Sequence, residues 1–220
     1  MLVSDISDQN FPQVSLTDKV SFALQLMDDY DIQHLPVVTT DEKFTGLISK
    51  DDLLDADDNA PVTSLHHQLI HASVLPQEHF LSAIKLATHA DVSIVPVVAK
   101  SGELHGIVTL KNLVRSINTF CSIEEPGAVI VLEMDKRNFS FGELSRLVET
   151  NDAFITQLNT HIQPATGLLL ATIKINKTEV SDIIASLQRY DYTIVYYFGE
   201  ELYENELKEN YDLLMNYLNI

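Results

Sequence analysis

Leu35-Pro36-Val37-Val38, followed by Gly46-Leu47-Ile48-Ser49-Lys50-Asp51-Asp52-Leu53, decides the fold because it occurs twice. Sixty residues later the chain reads Val95-Pro96-Val97-Val98 and then Gly106-Ile107-Val108-Thr109-Leu110-Lys111-Asn112-Leu113. At that fixed offset, residues 21–54 align with 81–114 without a gap and share eight identities in 34 positions. The pairs are Ala23/Ala83, Leu26/Leu86, Asp31/Asp91, Pro36/Pro96, Val37/Val97, Val38/Val98, Gly46/Gly106 and Leu53/Leu113, and Val14/Val74 extends the register leftward. Substituted pairs such as Ile32/Val92, Leu47/Ile107 and Ser49/Thr109 keep their character. Self-similarity at one constant period marks a duplicated structural unit.

Each copy reads as helix, strand, turn, strand, helix. In the first, Val20, Ala23, Leu24 and Met27 recur at helical spacing behind Thr17-Asp18, which is expected to cap the helix. Residues 32–38 form an apolar, β-branched strand, residues 39–43 a hairpin turn, and residues 44–48 the returning strand. Pro36 and Pro96 have no N–H for a ladder, so each strand is expected to be an edge or to bulge there. Ser49 and Thr109 then open helices predicted over 50–56 and 110–119.

Past a break at 122–127 the order changes. The spacing predicts a strand over 127–134, a helix over 141–149, strands over 153–158 and 168–175 around a turn at 163–167, a helix over 179–190 capped by Thr178, and a strand over 193–198. That order is βαββαβ, the ferredoxin-like or split-βαβ arrangement. Beyond Gly199, Tyr203, Leu207, Tyr211, Leu214 and Leu218 make one stripe of a further helix. The fold class is therefore α/β (α+β), with repeats at 1–60 and 61–121, a second domain at 127–199 and a terminal helix at 200–220.

Composition removes several function classes. The 220 residues carry 14 Lys+Arg against 32 Asp+Glu, a formal net charge of −18. The excess is even: 1–120 and 121–220 each hold 16 acidic and 7 basic side chains. Nucleic-acid binders need a basic footprint, so DNA and RNA are excluded as expected partners. An apolar content of 45% suits a packed core. The single cysteine, Cys121, forms no internal disulfide and suits a reducing compartment. The sequence shows neither a signal-peptide pattern nor the run of about 18 apolar residues that spans a membrane, so a soluble cytoplasmic protein is expected. Phosphate-loop, dinucleotide, nucleophile-elbow and zinc-protease motifs are missing too, and the chain is not expected to be an enzyme.

The duplicated segment, residues 1 to about 120, resembles a pair of CBS domains (a Bateman module). The second half resembles an ACT-like domain in its element order and in its Asp135-Lys136-Arg137-Asn138 turn. The combination is similar to acetoin-utilisation accessory proteins in architecture. The resemblance implies a non-catalytic regulatory protein that holds an adenosine-type ligand (adenosine, AMP, ADP, ATP or S-adenosylmethionine) in clefts between the copies. It also implies a homodimer acting on an unknown client protein. ACT domains bind amino acids or dimerise through their sheets. Here Asn138 stands where amino-acid binders usually have glycine, and its side chain would crowd a bound ligand, so a structural or dimerising role is expected.

The implied ligand residues are Gly46, Ser49 and Asp52 in the first copy and Gly106, Thr109 and Asn112 in the second, with Lys111, Arg115 and His34 beside them. A glycine permits close backbone approach. A Ser or Thr at a helix start presents donors where the dipole favours phosphate, and an acid one turn on accepts ribose hydroxyls. The same spacing is also a capping box, which needs no ligand. The copies diverge. The first keeps the ribose acid amid Asp51, Asp55, Asp57 and Asp58, whereas the second has Asn112 but also Lys111 and Arg115. Adenosine or AMP is thus easier to accommodate than a polyphosphate. His34 is a candidate for stacking on or bonding a base, and Ile94 replaces it in the second copy. His66, His67 and His71 could share a metal only if a further ligand came from elsewhere, and they are read as solvated. The rival reading is an assembly or dimerisation protein with vestigial ligand sites.

Overall fold

A computed structural model describes residues 1–199, and the chain divides into two compact units, Met1–Phe120 and Cys121–Ile220. The helix expected over 200–218 lies outside the described residues.

In the first unit the 60-residue repeat becomes a repeated backbone. The first copy contains α1 (Val20–Tyr30), β2 (His34–Val38), β3 (Phe44–Ser49) and α2 (Lys50–Leu54), preceded by the short β1 (Val14–Ser15). The second contains α3 (Phe80–Ala90), β4 (Ile94–Val98), β5 (Leu104–Thr109) and α4 (Leu110–Phe120). Both hairpins are antiparallel in one register, Pro36 opposite Leu47 and Pro96 opposite Ile107. Each carries a bulge one residue after the proline, between Val37 and Val38 and between Val97 and Val98. The missing proline N–H thus falls beside a ladder that is already interrupted. The identity Asp31/Asp91 has a backbone cause: both residues end their helix in the left-handed region at φ 51°, which Asp tolerates better than most side chains.

The cap of α1 differs from expectation. Lys19 occupies the N-cap position without a side-chain bond, and Asp18 instead accepts the Ser15 N–H at 2.7 Å, closing the turn before the helix.

Packing reaches across the boundary expected between residues 60 and 61. Val3, from the 3-10 helix Val3–Asp5, is buried with Val74, Ala83, Val95 and Val108 in the core of the second copy. Val62, Leu65 and Leu69, leading into the second copy, are buried with Leu35, Val37 and Ile48 in the core of the first. Each core is therefore completed by the segment that precedes the other copy.

The two repeat glycines serve this exchange. Antiparallel bridges join Leu47 to Ile70 and Asp8 to Ile107. A Cβ at Gly46 would stand 2.8 Å from the Leu69 Cβ, and one at Gly106 would stand 2.7 Å from the Asp8 carbonyl oxygen. The close approach they permit here is that of the crossing chain.

In the second unit β6 (Ala128–Met134), α5 (Phe141–Glu149), β7 (Ile155–Ile162), β8 (Leu169–Ile175), α6 (Ser181–Arg189) and β9 (Thr193–Phe198) follow the βαββαβ order. The antiparallel sheet runs β7-β8-β6-β9, the ferredoxin-like arrangement. Alternate residues Ala128, Ile130, Leu132 and Met134 of β6 and Leu169, Ala171, Ile173 and Ile175 of β8 pack with Leu144, Leu147, Ile183 and Leu187 of the helices. β7 is displaced from its expected span of 153–158, reaching Ile162 through a bulge near Ile155. Helix α6 starts at Ser181, later than expected, because buried Val180 takes the N-cap position and extends the core.

Candidate functional site

The second copy builds a cavity at the start of α4. Thr109 accepts the Asn112 N–H on Oγ1 at 3.1 Å and so caps the helix. The Asn112 side chain points away from that cap and donates from Nδ2 to the Ile6 carbonyl at 2.8 Å. One turn on, buried Ser116 donates to the Asn112 carbonyl at 2.8 Å. Between that segment and α4 lies a cavity of about 350 Å³, bounded chiefly by Asp5, Ile6, Ser7, Asn112, Arg115 and Ser116. The volume falls within the roughly 300–1,000 Å³ common for small-molecule sites. Lys111 is exposed and does not line it.

The first copy closes the same motif on itself. Ser49 Oγ accepts the Asp52 N–H at 3.1 Å and donates to Asp52 Oδ2 at 2.5 Å, so hydroxyl and carboxylate satisfy each other. Lys50, the neighbouring cation, is held by Asp28 at 2.6 Å. Asp51, Asp55, Asp57 and Asp58 are exposed around this end. Half of the capping box weighed from sequence is realised: Ser49 caps the Asp52 N–H, while the Asp52 carboxylate takes the Ser49 hydroxyl rather than the Ser49 backbone N–H.

His34, expected to face a base, bonds across to the other copy. Its Nδ1 lies 3.0 Å from Ser93 Oγ and accepts the Ser93 backbone N–H at 3.2 Å. Burial pushes its pKa below 6.5, with Asp91, Asp52 and Asp51 opposing. His66 and His67 belong to the 3-10 helix Val62–Gln68 rather than to an α-helix, and His71 lies beyond its end, with Nδ1 bonded to the Thr45 carbonyl at 2.7 Å. They do not share the helical i, i+4 face on which a joint metal would depend, and no group of three or more His, Cys, Asp or Glu suited to a metal occurs among the described residues.

The N-terminal wall of the second cavity was missed in the sequence. Met1 to Ser7 hold no motif, and only the offset of 60 could have pointed to them. It sets Asp5, Ile6 and Ser7 opposite Leu65, His66 and His67, the segment before the other copy.

In the second unit, Asn138 ends the short 3-10 helix Lys136–Asn138 with an ordinary negative φ. Asp135 accepts two side-chain bonds from Arg137, each at 3.0 Å, and these hold its carboxyl at about 2. Burial, and then its bond to Glu143 at 2.8 Å, pushes Tyr192 up to about 12. A cavity of about 550 Å³ opens among Glu133, Asp135, Asn138, Glu143 and Tyr190.

The CBS domain profile matches residues 3–59 and again 70–119, the two copies whose registers coincide. The first unit is a CBS domain pair. CBS pairs are regulatory modules that generally bind adenosine-containing ligands. An inosine-5'-monophosphate dehydrogenase of Korarchaeum cryptofilum is 29% identical over 123 residues, 54% of this chain and 25% of that relative. A homoserine O-acetyltransferase of Methanohalobium evestigatum is 28% identical over 123 residues, 54% of this chain and 24% of that relative. The chain thus spans about a quarter of the curated relatives it matches, and their two activities differ, so neither transfers with the shared segment. A CBS domain pair/ACT domain protein from Thermotoga maritima shares the fold, with TM-score 0.50 and 24% identity over 55% of this chain and 98% of that one. No helix among the described residues is long and apolar enough to cross a membrane.

Proposed function

We propose that the chain is a non-catalytic sensor whose CBS pair takes adenosine or AMP in the second copy and passes the occupied state to a partner through a homodimer. The observation that carries this is the cavity between α4 and residues 1–7, with Asn112 and Arg115 on one wall. Asn112 Nδ2 is engaged by Ile6, so its Oδ1 is the atom that would accept a ribose hydroxyl. Arg115 would meet a single phosphate as a bidentate donor. Asp5 on the opposite wall disfavours a longer phosphate chain, which ranks ADP and ATP below AMP. S-adenosylmethionine, carrying a sulfonium instead of phosphate, would lose the Arg115 contact.

In calorimetry and thermal unfolding against adenosine, AMP, ADP, ATP and S-adenosylmethionine, AMP should bind best. At about 100 times its dissociation constant it should stabilise the protein by about 2.7 kcal/mol. Silence from the whole panel at millimolar concentration would remove the ligand-sensing reading. The rival, an assembly protein with vestigial sites, draws its support from the first copy, where Ser49, Lys50 and Asp52 are all engaged within the protein. It predicts that silence.

A further inference from the structure

Among the nine proposed ligand residues, His34 alone makes a side-chain bond to the opposite copy's hairpin. It stands on β2, register partner of Ser49, and its acceptor nitrogen faces Ser93, the residue just before β4. A backbone N–H only donates, so the nitrogen that receives Ser93 N–H at 3.2 Å must be the unprotonated one. The ring is therefore neutral, with its hydrogen on Nε2, and the Ser93 hydroxyl at 3.0 Å donates to the same Nδ1 lone pair. Nothing equivalent exists in the opposite direction, because the second copy has Ile94 where the first has His34.

We propose that His34 is a proton-operated latch between the two CBS copies. A proton taken up on Nδ1 occupies the lone pair that receives Ser93 N–H. Two N–H groups then face each other, and one of the strand ends has to withdraw. The carboxylates around the ring supply an alternative position for the imidazolium. Asp91 at the end of α3 and Asp51 and Asp52 in α2 are close enough to favour a charged ring electrostatically, while the nearby Lys50 is already paired with Asp28. Moving toward α2 would set the ring in competition with Ser49 for the Asp52 carboxylate. Acidification would thereby loosen the seam between copies and disturb the first motif together. The second copy, with Ile94, would respond only through the seam. The latch acts without ligand and stands apart from the nucleotide reading.

Burial favours the neutral ring, so the folded protein holds this proton less tightly than the unfolded chain does. The unfolded state then binds more protons in the window below pH 6.5, and stability should decline as pH falls through it.

The test is nuclear magnetic resonance on the full chain. Long-range proton–nitrogen correlation should find His34 hydrogen-bearing at Nε2 at neutral pH. Ser93 amide protection, corrected for intrinsic exchange, should fall by about tenfold or more on the acid side of the His34 titration midpoint. In His34→Asn, Oδ1 keeps an acceptor near the Nδ1 position but cannot titrate, so Ser93 protection should stay level. Hydrogen on Nδ1 at neutral pH would overturn the proposal. So would wild-type Ser93 protection that is unchanged across the His34 titration, or a loss that persists in His34→Asn. The two wild-type readings decide the matter even if the variant fails to fold.

Discussion

In the first CBS copy the hydroxyl of Ser49 and the carboxylate of Asp52 face each other, and the neighbouring Lys50 is drawn off to Asp28. In the second, Thr109 caps its helix with the same geometry, but Asn112 reaches outward to Ile6 and Arg115 borders a cavity. Backbone register, bulge and helix-ending aspartate are common to both. The difference therefore lies in one side chain a turn into the helix and in where the nearest cation is held. An acid in that position can satisfy the cap from within, whereas an amide leaves a donor that recruits a separate segment of chain. That segment then forms the opposite wall of the second cavity. A motif kept at the level of sequence can thus serve as a closed cap in one copy and an open site in the other.

The largest effects should come from the paired core positions Leu35 and Val95, both fully buried. Leu35→Ala is expected to cost about 3 kcal/mol, from lost burial and a residual cavity, and Val95→Ala about 2 kcal/mol. If the copies were independent, each variant would unfold its own copy. Because residues 3 and 62–69 complete opposite cores, both variants should instead shift one shared transition in chemical denaturation. Two separated transitions would break the picture of interleaved copies.

Next come the crossing glycines. Gly106→Ala drives a Cβ against the Asp8 carbonyl and should cost about 1–3 kcal/mol, with hydrogen exchange rising around residues 6–9. Since residues 5–7 border the cavity, this variant should also weaken AMP. Gly46→Ala, pressing instead on Leu69, should cost stability without that change in affinity. Equal effects on AMP from both glycines would argue that the cavity is not where the nucleotide goes. At the cation, Arg115→Ala should weaken AMP about tenfold, near 1.4 kcal/mol, while leaving adenosine unchanged. Lys50→Ala should alter neither ligand, because Asp28 already holds that ammonium. A loss of AMP binding in Lys50→Ala would move the site to the first copy.

What the sequence made legible follows from the range of the interaction. The strands of both hairpins and the βαββαβ order rest on local periodicity, and β2 to β5 and β6 to β9 appear in the expected order, with β7 alone displaced along the chain. The exchange of segments was illegible because Val3, Val62 and Leu65 stand in 3-10 turns, where neither a period of 2 nor one of 3.6 develops. Gly46 and Gly106 announce that something approaches, yet a glycine says nothing of what; that the crossing chain does so needed the positions of Leu69 and Asp8. Ser93 was invisible as a partner for the same reason, being 59 residues from His34. The aspartates flanking Ser49 are legible in the sequence, but the pairing of Lys50 with Asp28, which engages the neighbouring cation, is a tertiary fact.

The smallest difference concerns the caps themselves, and it tests whether the two helix starts differ in energy as they do in geometry. Both Ser49 and Thr109 accept the N–H three residues on, at 3.1 Å. Removing either hydroxyl should cost about 1 kcal/mol, as for other N-caps. Ser49 also donates to Asp52, so Ser49→Ala leaves a half-buried carboxylate short of a donor, whereas Thr109→Ala strands no charge. The first variant should therefore be the more destabilising by a few tenths of a kcal/mol. A double-mutant cycle isolates the cause. Combined with Asp52→Asn, the extra cost of Ser49→Ala should disappear, because the neutral amide needs the hydroxyl less. Combined with Asn112→Ala, Thr109→Ala should be additive, since the Asn112 side chain bonds Ile6 and not Thr109. Coupling of equal size in both cycles would mean that the closed and open helix starts are energetically alike, and that the contrast between the copies must be sought in the segments that cross them.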